Sequence, residues 1–285
     1  MGLFGFGKKD KAVQEQAADA VEYSRLAEKV NIKEQSYAND ENRRFVMMIE
    51  EAFPAQDKEG IVTVGMMRGV IKNGDAAYLL EPGDQICMVN VIGLAVQDGG
   101  ERKSVEEAAN QVTGVKIYDI TGREKVAKYA VLTSVKPQMN RKDPSSIENP
   151  YVWGLSYGCR KWAKEPDFFN VLISELLKAN VLVVMHGEKD GYAVLTKPRQ
   201  AGGADLLVFT DKYQLALEKM EDAQNDLRVA VMKFTDCIDM VCSQNENTSG
   251  IAFNAYGAYA VALPHEMLDT IYRSEQFQKI MKENE

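Results

Sequence analysis

Apolar residues change their spacing twice along this chain. Over residues 1–44 they are sparse: Val13, Ala17 and Val21 make a thin helical stripe in an Ala/Glu/Gln-rich background. Residues 11–30 favour helix by propensity, so this segment is expected to be a polar helix, loosely docked or partly ordered. From Phe45 the apolar residues gather into short runs at 45–49, 61–65, 76–80, 86–94, 112–118 and 130–135, separated by Gly, Asn, Asp and Pro. Short strands at near-regular spacing predict a small β-barrel over 45–137. Asn73-Gly74, between two of the runs, predicts a two-residue hairpin of type I′.

Residues 138–150 carry prolines at 144 and 150 and few apolar side chains, which predicts a linker. Beyond it the period becomes mixed. Pro166 opens a helix whose apolar positions are Phe168, Phe169, Leu172, Ile173, Leu176 and Leu177, and Asn180 is expected to stop it. Strands follow at 181–185, 192–196 and 206–210. Asp211 is placed to cap a helix carrying Tyr213, Leu217 and Met220. A strand at 227–232, a short helix near 235–241, strands at 251–253 and 258–263 and a last helix opened by Pro264 complete the pattern. The fold class is therefore α+β: a small barrel, then a mixed α/β domain over 151–285.

Composition narrows the function classes. The chain has 285 residues, 34 basic and 42 acidic, for a formal charge of −8. The deficit lies in the two domains, −3 over 45–137 and −5 over 151–285, while residues 1–44 carry eight of each sign. An acidic surface disfavours RNA and argues against DNA. Cys87, Cys159, Cys237 and Cys242 form no C-x-x-C pair, so a zinc site or disulfide framework is not expected, and reduced thiols in a cytoplasmic protein are. No apolar run reaches membrane-span length. The start, with its lysines after a short apolar run, is not a secretory signal, and Phe6 breaks the myristoylation pattern.

The run Ile49-Glu50-Glu51-Ala52-Phe53-Pro54 leads through Gly60-Ile61-Val62-Thr63-Val64-Gly65 to Arg68-Gly69-Val70-Ile71-Lys72-Asn73-Gly74-Asp75. This resembles the second, β-barrel domain of elongation-factor-Tu-type translational GTPases over residues 45–137. Val112-Thr113-Gly114-Val115 is similar to that family's following strand, and residues 131–137 to its closing one. The family's Ala-Gly-Asp segment before the closing strands is absent. In that family the barrel helps hold the aminoacyl end of tRNA, so the resemblance permits a translation-associated role. Residues 173–185, the strand-to-cap Leu206-Leu207-Val208-Phe209-Thr210-Asp211 and residues 250–268 resemble the N-terminal domain of SseB, the bacterial enhanced-serine-sensitivity proteins, over 155–272. That resemblance brings no catalytic residues.

No chemistry-bearing motif emerges. Gly60 and Gly65 have P-loop spacing, but Met66-Met67 stands where Lys-Ser/Thr is required, and no G-x-G-x-x-G occurs. The two histidines, His186 and His265, read as turn and helix-start positions and not as catalytic bases. Adjacent carboxylates such as Glu50-Glu51 read as solvated faces. Catalytic residues, cofactor and metal are thus expected to be none. Candidate interaction residues are Arg68, which could bind a phosphate or carboxylate or brace a strand, and Asn254, Tyr256 and Gly257, a turn suited to recognition or to plain packing. The reading that follows is a non-enzymatic binding or adaptor protein with a protein partner; the alternative is a translation-associated factor that binds tRNA or the ribosome without GTPase activity.

Overall fold

The computed structural model describes residues 3–5, 21–22, 44–57, 59–98, 101–118, 125–139, 142–186, 193–199, 202–216, 227–243, 248–255 and 260–284. Its strands are β1 Leu3–Gly5, β2 Val21–Glu22, β3 Phe45–Met48, β4 Glu51–Pro54, β5 Ile61–Lys72, β6 Ala76–Glu81, β7 Gln85–Asp98, β8 Glu101–Val105, β9 Glu107–Ala109, β10 Val112–Tyr118, β11 Val131–Thr133, β12 Asn180–His186, β13 Ala193–Pro198, β14 Ala204–Phe209, β15 Leu227–Lys233, β16 Thr248–Phe253 and β17 Val261–Pro264. Its helices are α1 Pro150–Trp162, α2 Pro166–Lys178, α3 Lys212–Ala216, α4 Phe234–Ser243, α5 His265–Tyr272 and α6 Glu275–Asn284. No helix among the described residues is long and apolar enough to cross a membrane. The chain divides into two compact units: Ile32–Pro137 with Pro150–Leu172, and Met1–Asn31 with Gln138–Asn149 and Ile173–Glu285.

The first unit holds a closed six-stranded barrel. Its strand order runs β10-β5-β3-β11-β6-β7, and β7 pairs back to β10 to shut the ring. These six strands are the six apolar runs of the sequence. Alternation puts Phe45, Met47, Met67, Ile71, Leu79, Val89, Val91, Val115, Ile117 and Leu132 inside, all but fully buried. Closure leaves the ring no free edge, which an open sheet of this size would have to protect. The long β5 bends at Gly69, where φ is +93° and a Cβ would fall on the Arg44 carbonyl oxygen. The Arg68-Gly69 pair therefore has a backbone reason for its glycine.

Two expectations change here. Asn73-Gly74 does not close a hairpin, since β5 and β6 are not neighbours in the ring. The turn carries the chain across the barrel end instead, and only Gly74 of the pair has positive φ. Helix α1 is not predicted by the periodicity, because nine of its thirteen residues are buried and no polar face remains to mark it. It packs on β3 and β11. Gly154 permits that approach: a Cβ there would lie 2.5 Å from Val131 Cγ2. A Cβ at Gly158 would lie 2.8 Å from Phe168 Cε2. Tyr129, held at φ +66°, anchors the corner. Its hydroxyl lies 2.7 Å from the Glu165 carboxylate, and its ring meets Trp162 and Phe168 edge-on.

The second unit is built on an eight-stranded mixed sheet ordered β17-β16-β14-β13-β12-β15-β2, with β1 against β13. The β14–β16 pair is parallel and the other pairs are antiparallel. Leu182, Val184, Leu207, Phe209, Val229 and Val231 line one face with Ile147 and Leu215. The alternate residues Val181, Val183, Leu206, Val208, Ala230 and Met232 are buried on the other. Burial of both faces explains why these strands read as unbroken apolar runs. Val21–Glu22, inside the expected N-terminal helix, is a strand pairing with β15; the rest of that helix lies outside the described residues. Residues 138–149 are also more than a spacer. Ile147 is fully buried in the sheet core, and Gln138 and Asp211 both bridge to Glu148.

Candidate interaction surfaces

Of the sequence-predicted residues, Tyr256 and Gly257 lie outside the described residues. Asn254 is wholly buried, so its side chain offers nothing to a partner. It sits at φ +46°, just past the end of β16, in the left-handed region that Asn tolerates. Its Oδ1 accepts from the Thr210 amide at 3.0 Å, its Nδ2 donates to Thr210 Oγ1 at 3.0 Å, and its own amide donates to Val208 O. It thus pins the C-terminal ends of the parallel strands β14 and β16 together. Thr210 Oγ1 in turn donates to Asp211 Oδ2, and Asp211 Oδ1 accepts from the amides of Tyr213 and Gln214, the cap expected from the sequence. Asn149 joins this network by donating to the carbonyls of Thr210 and Asn180 at 2.7 and 2.9 Å.

Arg68 is half-buried on β5, opposite Val46 of β3. Its charge reaches Tyr157 on α1, as do those of Glu50, Arg160 and Lys161. Burial, then Glu50, hold the Tyr157 hydroxyl above its ordinary range, so it is a neutral donor at neutral pH.

The outer wall of the barrel carries a feature that motif reading missed. In a ring of six, β7 and β10 stand opposite β3 and β11, the strands that α1 covers. Six large apolar side chains are exposed among the described residues, and five belong to β7 and β10: Ile86 (54%), Met88 (61%), Ile92 (38%), Val112 (47%) and Tyr118 (45%). The sixth is Phe53 on β4. Residues 86, 88, 90 and 92 alternate outward along β7 while Val89 and Val91 point into the core. Met88 lies opposite Tyr78 of β6, and Tyr118 opposite Asn90. Ile92 has no partner on β10, because the register steps from Ile117–Val91 to Lys116–Gly93. The strands' β-bulge thereby turns one more apolar side chain outward. Single exposed apolar residues are ordinary, but Ile86, Met88, Ile92 and Tyr118 gather around Asn90 and make a patch, with Val112 apart at the other end of β10. The signal was present in the sequence as the run at 86–94, apolar at every position but Asn90 and Gly93 and so too apolar for a strand with one wet face.

No group of three or more His, Cys, Asp or Glu among the described residues is placed to hold a metal ion. All four cysteines are free thiols.

A comparison with curated proteins finds no match. Among solved structures, the crystal structure of GDP-bound aIF5B from Aeropyrum pernix is similar at 14% identity and a TM-score of 0.26, over 35% of this chain and 18% of that one. The matched part is thus less than a fifth of that protein's length. Of the two sequence resemblances, the one in the second half is the more closely delimited: residues 159–270 match the family model of the SseB protein N-terminal domain.

Proposed function

We propose that this chain is a non-enzymatic, cytoplasmic binding protein that docks a protein partner on the outer face of β7 and β10. The observation that carries the reading is the concentration of exposed apolar side chains on that one pair of strands. Methionine and tyrosine are enriched at protein interfaces, and their apolar area is worth burying there. The partner surface that fits is apolar at its centre, since Lys116 is the one charged residue among the outward positions of β10 and its carboxylate partner is Asp57. The four free thiols suit a reducing compartment.

A photo-crosslinker at position 88 tests this directly, with a crosslinker at exposed Lys279 as the control. The expected result is an adduct of one defined protein from 88 and not from 279. Ile86→Glu in the same chain should weaken that capture by about 2 kcal/mol or more, while folding stability changes by about 0.5 kcal/mol or less. Equal adducts from both positions would remove the assignment.

A further inference from the structure

Arg102 lies beside the apolar wall with its charge unused. It is exposed on β8, opposite Gln97 of β7. Ala95 of β7 pairs with Ser104 of β8 on one edge and with Gly114 of β10 on the other, so these three strands are neighbours. The Arg102 side chain crosses β7 and reaches β10. A Cβ at Gly114 would lie 3.0 Å from one terminal guanidinium nitrogen and 3.8 Å from Ala95 Cβ. Two small residues thus make the low floor on which the guanidinium rests. Lys103, one position on, alternates onto the other face of the ribbon and pairs with Asp98 at 2.7 Å. Lys116, the neighbouring cation on β10, has Asp57. Among the described residues no carboxylate pairs with Arg102.

We infer that the partner docked on β7 and β10 presents an extended segment with an acidic residue about four positions from an apolar anchor. This rests on the docking face proposed above and names the chemistry that fits it. Gly114 and Tyr118 are four positions apart on β10, and both face outward because Val115 and Ile117 face the core. Four residues of strand span about 13 Å. A segment laid along β10 therefore places its own residues i and i+4, which share a face, over both points at once. The apolar one packs against Tyr118, Met88 and Ile92, and the acidic one meets Arg102, whose parallel N–H donors fit a carboxylate. The wall of a closed ring bulges outward and offers no groove to a helix. Nor can a strand add itself here, since β10 is already paired to β5 on one edge and β7 on the other. Recognition is left to side chains. A nucleic-acid backbone, with its many phosphates, needs a far longer basic track than one guanidinium.

NMR titration of the full chain with three short peptides tests this, reading the Arg102 Nε–Hε signal and the Met88 methyl. In acetyl-Glu-Ala-Thr-Ala-Phe-amide the carboxylate and the ring share a face. In acetyl-Ala-Ala-Thr-Glu-Phe-amide the same residues are adjacent and on opposite faces. In acetyl-Gln-Ala-Thr-Ala-Phe-amide the charge is gone. The first should saturate with a dissociation constant of about 1 mM and shift both signals. The other two should bind about fourfold more weakly. Arg102→Gln, a surface change that spares the fold, should bring the first peptide down to the level of the third and leave the third where it was. Equal binding of the first and third, with Met88 shifted, would overturn the acidic partner and leave the docking face in place. Equal binding of the first and second would overturn the lay along β10. Saturation that never moves Met88 would count against the docking face and this inference together. Absence of saturation by the first peptide at about 20 mM overturns the inference, whatever the crosslink from position 88 yields.

Discussion

Asn254 shows how one amide can close a gap between strands. Its left-handed backbone ends β16, and its side chain takes up the Thr210 amide that would otherwise be buried without an acceptor. Asn254→Ala should therefore destabilise the chain by about 2 kcal/mol, because the loss strands a buried donor as well as a bond. Urea unfolding followed by circular dichroism measures it, and a change under about 0.5 kcal/mol would mean that the network is not what joins β14 to β16. The thiols make a second prediction at this scale. Cys237 is fully buried and burial pushes its pKa well up, while burial pushes Cys159 up to about 11 from an ordinary 9.0. At pH 8, a chromogenic disulfide reagent should label Cys237 only as the protein unfolds. The unfolded thiol ionises near 9.0 while the folded Cys159 keeps its proton to about 11. Stability from this source is thus complete below pH 9 and falls as pH rises towards 11. A thermal midpoint that rises over that interval would contradict the assignment.

At the scale of elements, residues 138–149 are the instructive case. Three prolines between 137 and 150 read as a spacer, yet Ile147 is the one large aliphatic side chain in the second half of that stretch, and the sheet core takes it up. A true linker residue would tolerate truncation. Ile147→Ala is expected instead to cost roughly 3 kcal/mol, as buried aliphatic deletions do. Urea unfolding of the two forms decides it, with a loss below about 0.5 kcal/mol restoring the linker. Helix α1 was illegible for a related reason. Gly154, Gly158 and Val152 are poor helix formers, and the two glycines are retained for close approach to Val131 and Phe168. Where packing sets the residue choice, propensity points the wrong way. The six barrel strands were legible because one side of each is dry and the turn residues between them are strong. The Asn73-Gly74 turn was legible as a turn but not as a crossover, since the dipeptide specifies local φ and not which strand lies beside which.

For the molecule as a whole, charge decides between the two readings of the barrel. Both units are acidic. Phosphate contacts dominate affinity for nucleic acid, so bulk tRNA should not shift the protein in a gel at about 150 mM salt. A shift that weakens steeply as salt rises would instead favour the translation-associated alternative and count against the apolar face as the principal contact. Binding in that case should survive Met88→Glu, whereas a protein partner on β7 and β10 should not.

The sequence by itself determined the local facts: six strands of the barrel, the Asp211 cap, the helix opened by Pro166, strands β12 to β17 of the second unit and the lack of a phosphate-loop lysine. Each follows from residues within a few positions of one another, through side-chain period, backbone φ or hydrogen bonds of short reach. Tertiary structure decided which strands are neighbours, that Asn254 faces inward, that 138–149 packs against a sheet, and that β7 and β10 are the wall left open once α1 covers β3 and β11. Those outcomes depend on contacts between residues dozens of positions apart. Spacing along the chain carries no record of them, because the same apolar run is equally content against a core or a partner.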